Sequence, residues 1–269
     1  MLEVGIVSDE ISLNIEEAIE IGLDLGIKKY EIRCIGSYEN RIPFIDQRAI
    51  DYLQKNIDAR KIEITALSPG TFKIKPSEID KVNEQLEEVL PATCRLAKQF
   101  HADKIISFGF VRDNVAEGRI VEILQKAGKI VGNEGLILAI ENEPGFYCDT
   151  GQNTLGIIEK INMDNVRINW DPGNALGAGE VPFPTGYGFV KPYIVNLHVK
   201  DTVNYPKFEC RLLNEGGVNW IGQLNAIYQD NLLPFITLET HQVPLIESTR
   251  EALKRLKLIL ELIGELNRT

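Results

Sequence analysis

Residues 136–141 read Leu-Ile-Leu-Ala-Ile-Glu, 166–171 Val-Arg-Ile-Asn-Trp-Asp, 194–198 Ile-Val-Asn-Leu-His and 235–239 Phe-Ile-Thr-Leu-Glu. Each is a short apolar run that stops on a side chain able to bind a cation. The stops, Glu141, Asp171, His198 and Glu239, stand 30, 27 and 41 residues apart, each about one strand-plus-helix unit. The alternation continues upstream, with strands expected over 3–7, 30–35, 62–67 and 104–108 and helices over 14–25, 46–60, 78–100 and 115–132. In the second half the helices fall over 154–161, 188–192, 220–230 and 246–262. Strands that alternate with helices pair in parallel through crossover connections. Eight such units in 269 residues match a single (β/α)8 barrel, which typically takes about 250. No linker rich in Pro, Ser or charge interrupts them, so 1–269 reads as one domain. An open doubly wound sheet would call for a phosphate loop, and neither GxGxxG nor GxxxxGK[ST] occurs.

Composition narrows the function classes. Hydrophobic residues make up 44% and charged residues 25%, which suits a packed core and excludes collagen, disorder and a disulfide scaffold. With 29 Lys+Arg against 39 Asp+Glu the net charge is −10, and no basic stripe stands out, which argues against a nucleic-acid partner. Cys34, Cys94, Cys148 and Cys210 lie more than fifty residues apart without a CxxC pair, as suits reduced thiols rather than disulfides or a thiolate zinc site. The sequence begins Met-Leu-Glu and enters a strand pattern directly, with no signal-peptide pattern and no apolar run near the ~20 residues of a membrane span. The expectation is a soluble cytoplasmic protein.

In (β/α)8 barrels chemistry sits where the strands end at their C-termini. Residues two apart share a face of a strand. Two before the four stops stand Ala139, Asn169, Asn196 and Thr237, all small or polar. The other face carries Leu138 and Ile140, Ile168 and Trp170, Val195 and Leu197, Ile236 and Leu238, fit for packing under helices. Glu141, Asp171, His198 and Glu239 therefore point into the barrel mouth. Three carboxylates converging there would repel and desolvate one another. A divalent cation removes the conflict; a hydrogen-bonded polar cluster is the bland alternative. One imidazole and three carboxylates without a thiolate suit Mn²⁺, Zn²⁺, Co²⁺ or Mg²⁺, with room for substrate oxygens. Glu143 shares the parity of Glu141 and is its alternative as ligand, though a place facing substrate fits it better.

The strings Ala-Ile-Glu141-Asn-Glu-Pro, Asn-Trp-Asp171-Pro-Gly-Asn, Asn-Leu-His198-Val-Lys-Asp and Thr-Leu-Glu239-Thr-His resemble the xylose-isomerase-like barrel superfamily. That group includes sugar and sugar phosphate isomerases and epimerases, inosose-processing enzymes and abasic-site endonucleases. The resemblance implies one metal held by Glu141, Asp171, His198 and Glu239, with Glu141 and Glu239 also exchanging protons with a sugar or polyol. One departure is Asn174, where some members carry a further His, and it weighs against a second metal. Barrels of this type often form homodimers or homotetramers, and no exposed seam in the sequence marks either.

The chemistry is an aldose–ketose shift or epimerisation, in which a proton leaves a carbon beside a carbonyl. Charge then develops on two adjacent oxygens, which a divalent cation stabilises as a Lewis acid, while two flanking carboxylates take and return the proton. An inosose-type dehydratase would use the same site. A nuclease of the abasic-site kind needs several histidines, and only His101, His198 and His241 are present. A non-catalytic sugar binder is the remaining alternative. Among supporting residues, Glu31 and Arg33 end the second strand facing inward, as substrate-hydroxyl contacts or as an ion pair. Ser68 is a candidate hydroxyl contact. Lys200 and Asp201 read as an ion pair orienting His198, with Lys200 also a candidate substrate contact. Arg211, in a long loop, is a candidate contact to a hydroxyl or phosphate. His241 reads as a rim residue and His101 as surface. Phe72, Phe110, Tyr147 and Trp170 are candidate walls, with Trp170 a core residue first.

Overall fold

Alternate residues along each strand separate into two layers, and the division builds the molecule. The computed structural model describes residues 2–204 and 207–268. Eight parallel strands, β1 Glu3–Val7, β2 Lys29–Ile32, β3 Glu63–Leu67, β4 Lys104–Phe108, β5 Ile137–Glu141, β6 Val166–Trp170, β7 Ile194–Val199 and β8 Phe235–Leu238, close into a barrel in chain order. Closure is a parallel pairing of β8 with β1, Glu3 opposite Phe235. Leu138, Ile140, Ile168, Trp170, Leu197, Ile236 and Leu238 join the main core between the strands and the outer helices. Ala66, Ile106 and Ala139 form a separate small cluster inside the barrel. Asn169, Asn196 and Thr237 complete this inner layer as a ladder. Thr237 Oγ1 donates to Asn196 Oδ1 at 3.2 Å, and Asn196 Nδ2 to Asn169 Oδ1 at 3.0 Å.

Val195 departs from the expected parity. The register between β6 and β7 slips after Ile168, so that Ile194 faces Ile168 while Asn196 faces Asn169. The extra residue turns Val195 inward against Ala66, Ile106 and Ala139, and Ile194 goes to the outer core. A bulge of this kind re-aims side chains, and it leaves Asn196 and His198 on the inner face.

The helices begin where local chemistry lets them. Asn14 accepts the amides of Glu16 and Glu17 at the start of Ile15–Asp24, satisfying donors that a helix leaves open. The helix expected over 78–100 contains a wide turn, Gln85–Val89, between Ile79–Glu84 and Leu90–Gln99. Pro91 has no N–H to return to the carbonyl four residues back, and the Leu90 amide reaches five back to Gln85. The helix expected over 188–192 is Tyr187–Val190, preceded by a wide turn over Pro182–Gly186 and continued by a 3-10 turn over Lys191–Tyr193. An unforeseen helix, Pro172–Gly177, starts on Asp171. Two antiparallel ribbons also went unforeseen. Cys34–Ile35 pairs with Ser37–Arg41 around Gly36 at φ +83°, a conformation that glycine adopts without strain. Asp201–Val203 pairs with Glu209–Arg211 in the loop after β7. No helix among the described residues is long and apolar enough to cross a membrane.

Candidate metal centre and its cavity

Glu141 is the last residue of β5, Asp171 follows β6, His198 lies near the end of β7 and Glu239 follows β8. All four are at most 4% exposed, and each offers a ligand atom within 4.8 Å of the others. His198 Nδ1 lies 3.6 Å from Glu141 Oε1 and 3.4 Å from Glu239 Oε2. The inner ladder aims two of them, with Asn169 Nδ2 donating to Glu141 Oε2 at 3.0 Å and lying 3.3 Å from the His198 ring nitrogens. Asn142 grips the Asp171 backbone, donating to its carbonyl and accepting its amide at 2.8 Å each, while Asp171 Oδ1 accepts the Asn174 amide. Asn174 thus serves the helix start and also donates to Glu141 Oε1 at 3.4 Å.

A second ring of charge surrounds these four. Lys200 Nζ sits 2.7 Å from Asp171 Oδ2 and 3.0 Å from Glu239 Oε2. Arg33 reaches Glu239 at 2.6 Å, Asp9 at 2.8 Å and Glu10 at 2.9 Å. His241 bridges Glu10 and Glu239 at 3.1 and 3.2 Å. Glu31 lies on the far side of His198, 3.0 Å from Nε2. The connected network therefore holds six carboxylates against Arg33, Lys200 and two imidazoles, so acids exceed cations by two even with both imidazoles protonated.

Proton affinities register that excess. Burial lowers the His198 imidazole, but Glu31, Glu141 and Glu239 overcome it and raise the group well above 6.5. Burial raises Glu141 and Glu239, yet His198 brings Glu141 below its ordinary range, and Lys200, His241 and His198 hold Glu239 well below. Asp171 goes the other way: burial, reinforced by Glu239 and Glu141, lifts it in spite of Lys200. With protein groups alone the surroundings favour a proton on His198, and the network is still short by two positive charges with that proton and one on His241 counted. The donor set and the charge deficit both fit a divalent cation.

A model of the xylose isomerase-like TIM barrel family matches residues 19–259. The chain belongs to that family. Among solved structures, a D-tagatose 3-epimerase-like protein superposes with a TM-score of 0.80 at 18% identity, covering 98% of this chain and 99% of its own. The IOLI protein, solved with a zinc atom, gives 0.80 at 17% identity over 97% and 98%. The probable 3-DHS dehydratase AsbF from Bacillus anthracis gives 0.77 at 17% over 96% and 99%. At these identities the likeness establishes the fold. No curated protein matches the chain in sequence.

In this xylose isomerase-like barrel the mouth opens into a cavity of about 450 Å³, lined among others by Glu10, Arg33, Ser68, Glu141, Lys200, Glu239 and His241. Ser68 and Lys200 both line this cavity, Lys200 while paired to Asp171 and Glu239. Several expectations need correction. Glu31 is 1% exposed beneath His198, bonded to it and to Asn196, and does not line the cavity. Arg33 does line it, but as the hub of an ion-pair network. Asp201 does not pair with Lys200. Its carboxylate accepts the amides of Thr202, Asn214, Gly216 and Val218 and so pins the loop after the ribbon. Arg211 is exposed, pairs with Glu209 at 2.6 Å and does not line the cavity; Cys210, its neighbour on the strand and so facing the opposite way, does. Phe72 and Phe110 are buried against each other, Tyr147 bonds Asp113, and Trp170 donates to Gln223 in the core. Phe108, Tyr38 and Phe208 take the wall positions instead. Glu143 lines the cavity paired to Lys73 at 2.6 Å, outside the four-residue cluster.

Sequence reading missed Asp9, Glu10 and Phe108. Phe108 was within reach, because it ends β4 directly opposite Glu141 and the same parity test applies. Asp9 and Glu10 sit on the turn Ser8–Glu10 after β1, where strand parity no longer tells direction. Two acids at a strand end were the available signal.

Proposed function

We propose that this barrel is a divalent-metal-dependent sugar or sugar phosphate isomerase or epimerase, a one-domain cytoplasmic enzyme moving a proton beside a substrate carbonyl. The observation that carries it is the convergence of Glu141, Asp171, His198 and Glu239 at four successive strand ends, with Glu141 and Glu239 also lining the cavity. These four would hold the ion, which when bound supplies Lewis-acid stabilisation of negative charge on substrate oxygens. The relatives' names, an epimerase-like protein and a protein solved with zinc, support the same class. Four free cysteines, three of them buried, support a reducing compartment.

The two glutamates differ as acid–base groups. The oxygens of Glu141 accept from neutral amides, Asn169 and Asn174, and from the His198 side. Those of Glu239 accept from Arg33 and Lys200, which stabilise its anion more strongly. Glu141 is therefore the better base, abstracting the proton from the substrate carbon. Glu239, clamped at both oxygens, faces substrate with Lys200 and His241 as proton donors at its side. Loss of a β-hydroxyl in place of reprotonation gives the dehydratase reading. The Lys200 ammonium in the cavity lining favours it, as a donor to a departing hydroxide.

The test is solvent deuterium uptake at the substrate carbon, across a panel of ketoses, ketose phosphates and inososes with metal-saturated protein. Uptake is expected in wild type, with a loss of about 10²–10⁴-fold in Glu141→Gln and Glu239→Gln. Undiminished exchange in both variants rejects the assignment of these bases. Turnover without uptake rejects proton exchange with solvent.

A further inference from the structure

The chain as a whole is acidic, yet five cationic side chains line the cavity. Four of them are matched. Arg33 meets Asp9, Glu10 and Glu239, Lys73 meets Glu143, Lys200 meets Asp171 and Glu239, and His241 meets Glu10 and Glu239. The fifth is Arg41. Among the described residues its guanidinium has no carboxylate partner and no side-chain hydrogen bond, although it is half-buried at the cavity. It rests against the backbone of Gly70, where a Cβ would stand 3.1 Å from Nη1 and where φ is +76°. Ser68, two residues before Gly70, is 3% exposed, and its hydroxyl opens on the same cavity without a protein partner.

A guanidinium is a planar fork of donors matched to carboxylate or phosphate oxygens. Arg41 is only half-buried, so water in the cavity solvates the fork, and oxygens of an anionic ligand can take the place of that water. Glu141 and Glu239 frame the proposed cation site where the reacting oxygens would sit, and Arg41 stands outside that ion-pair network, so an anionic group held by Arg41 would occupy a different part of the cavity. Its volume of about 450 Å³ lies within the range that takes a small ligand.

We propose that Arg41, with Ser68 on the same cavity, binds one anionic group, carboxylate or phosphate, at the end of the substrate remote from the reacting carbonyl. The substrate is then an acidic sugar rather than a neutral polyol. This rests on the isomerase or epimerase reading for the location of the reacting end, but the anion site is tested separately.

Calorimetric titration with D-sorbitol, D-gluconate and D-sorbitol 6-phosphate compares the same carbon chain with and without charge, in protein with and without added Mn²⁺. At least one anion is expected to bind tenfold or more tighter than sorbitol in both conditions, as a charge-assisted hydrogen bond allows. Preference for gluconate assigns a carboxylate, and preference for the phosphate ester assigns a phosphate. In Arg41→Gln the ratio of anion to sorbitol affinity should fall to about one, and Arg41→Lys, which keeps the charge without the fork, should fall between. Anions that bind no tighter than sorbitol, or not at all, overturn the proposal, as does an advantage that survives in Arg41→Gln or exists only with Mn²⁺. Absence of deuterium uptake with the anion preference intact would reject the isomerase reading and leave the Arg41 site standing.

Discussion

Beneath Asp171, His198 and Glu239 the barrel interior is a ladder of Asn169, Asn196 and Thr237; beneath Ser68, Phe108 and Glu141 it is Ala66, Ile106 and Ala139. The half of the mouth formed by β6 to β8 thus holds Glu141 and His198 from below through Asn169, itself tied to Asn196 and Thr237, and a broken bond there leaves a buried polar atom unsatisfied. The half formed by β3 and β4 rests on an apolar plug and builds its wall from loops, with Ser68, Lys73 and, from the ribbon after β2, Arg41. The contrast separates two tasks. A charged cluster needs fixed directions, because a misplaced carboxylate in a dry site is expensive, whereas a wall that selects among substrates can vary on a scaffold that does not change.

The largest effect expected from breaking this contrast is at Asn169. Replacing it with Leu removes the donor to Glu141 and the acceptor for Asn196. Metal affinity should fall by about 10–100-fold, as for other groups that orient ligands. Ile106→Val in the apolar plug should cost only about 0.5–1.5 kcal/mol of stability and leave metal affinity alone. Equal metal affinities in the two variants would erase the distinction between the halves.

A smaller effect sharpens it at the rim, in the metal-free protein. Burial lowers His241, but Glu239 and Glu10 raise it from 6.5 to about 9. A group raised on folding stabilises fully below its unfolded pKa and loses that contribution as pH rises through the folded value. The melting temperature difference between wild type and His241→Gln should therefore be widest near pH 6 and shrink between pH 6.5 and about 9. Glu10 has the opposite sign. Burial raises it, His241 and Arg33 outweigh burial, and it falls from 4.5 to about 2, so its contribution holds above 4.5 and fades in acid toward 2. Because 38% of the His241 side chain stays exposed, solvent screens part of the effect. A difference constant from pH 6 to 10 would contradict the pairing.

The smallest effect is at Arg211. Its ion pair with Glu209 is exposed, so Arg211→Ala should change stability by less than about 0.5 kcal/mol and turnover by less than about twofold. A large loss of turnover would return Arg211 to the substrate site.

Much of this was legible in the sequence. Period-two alternation with polar strand ends placed β5 to β8, their inner ladder and the four converging side chains, because a closed barrel fixes which way every second residue faces. Reading failed where that rule stops. The bulge that turned Val195 inward leaves no mark in residue type. The turn carrying Glu10 and the ribbon that turns Arg211 away lie beyond the strands. Parity places Glu31 facing inward, but depth along the strand decides whether an inward carboxylate meets substrate or sits under an imidazole, and parity carries no depth.

The central claim is that the four strand-end side chains hold one cation. Elemental analysis of the purified protein after dialysis against Mn²⁺, Zn²⁺, Co²⁺ or Mg²⁺, repeated on His198→Ala and Asp171→Ala, tests it most directly. The expected result is about one tightly held divalent ion per chain in wild type, and most of it lost in both folded variants. Metal content unchanged in both variants, or no ion retained by wild type with any of the four metals, would contradict it.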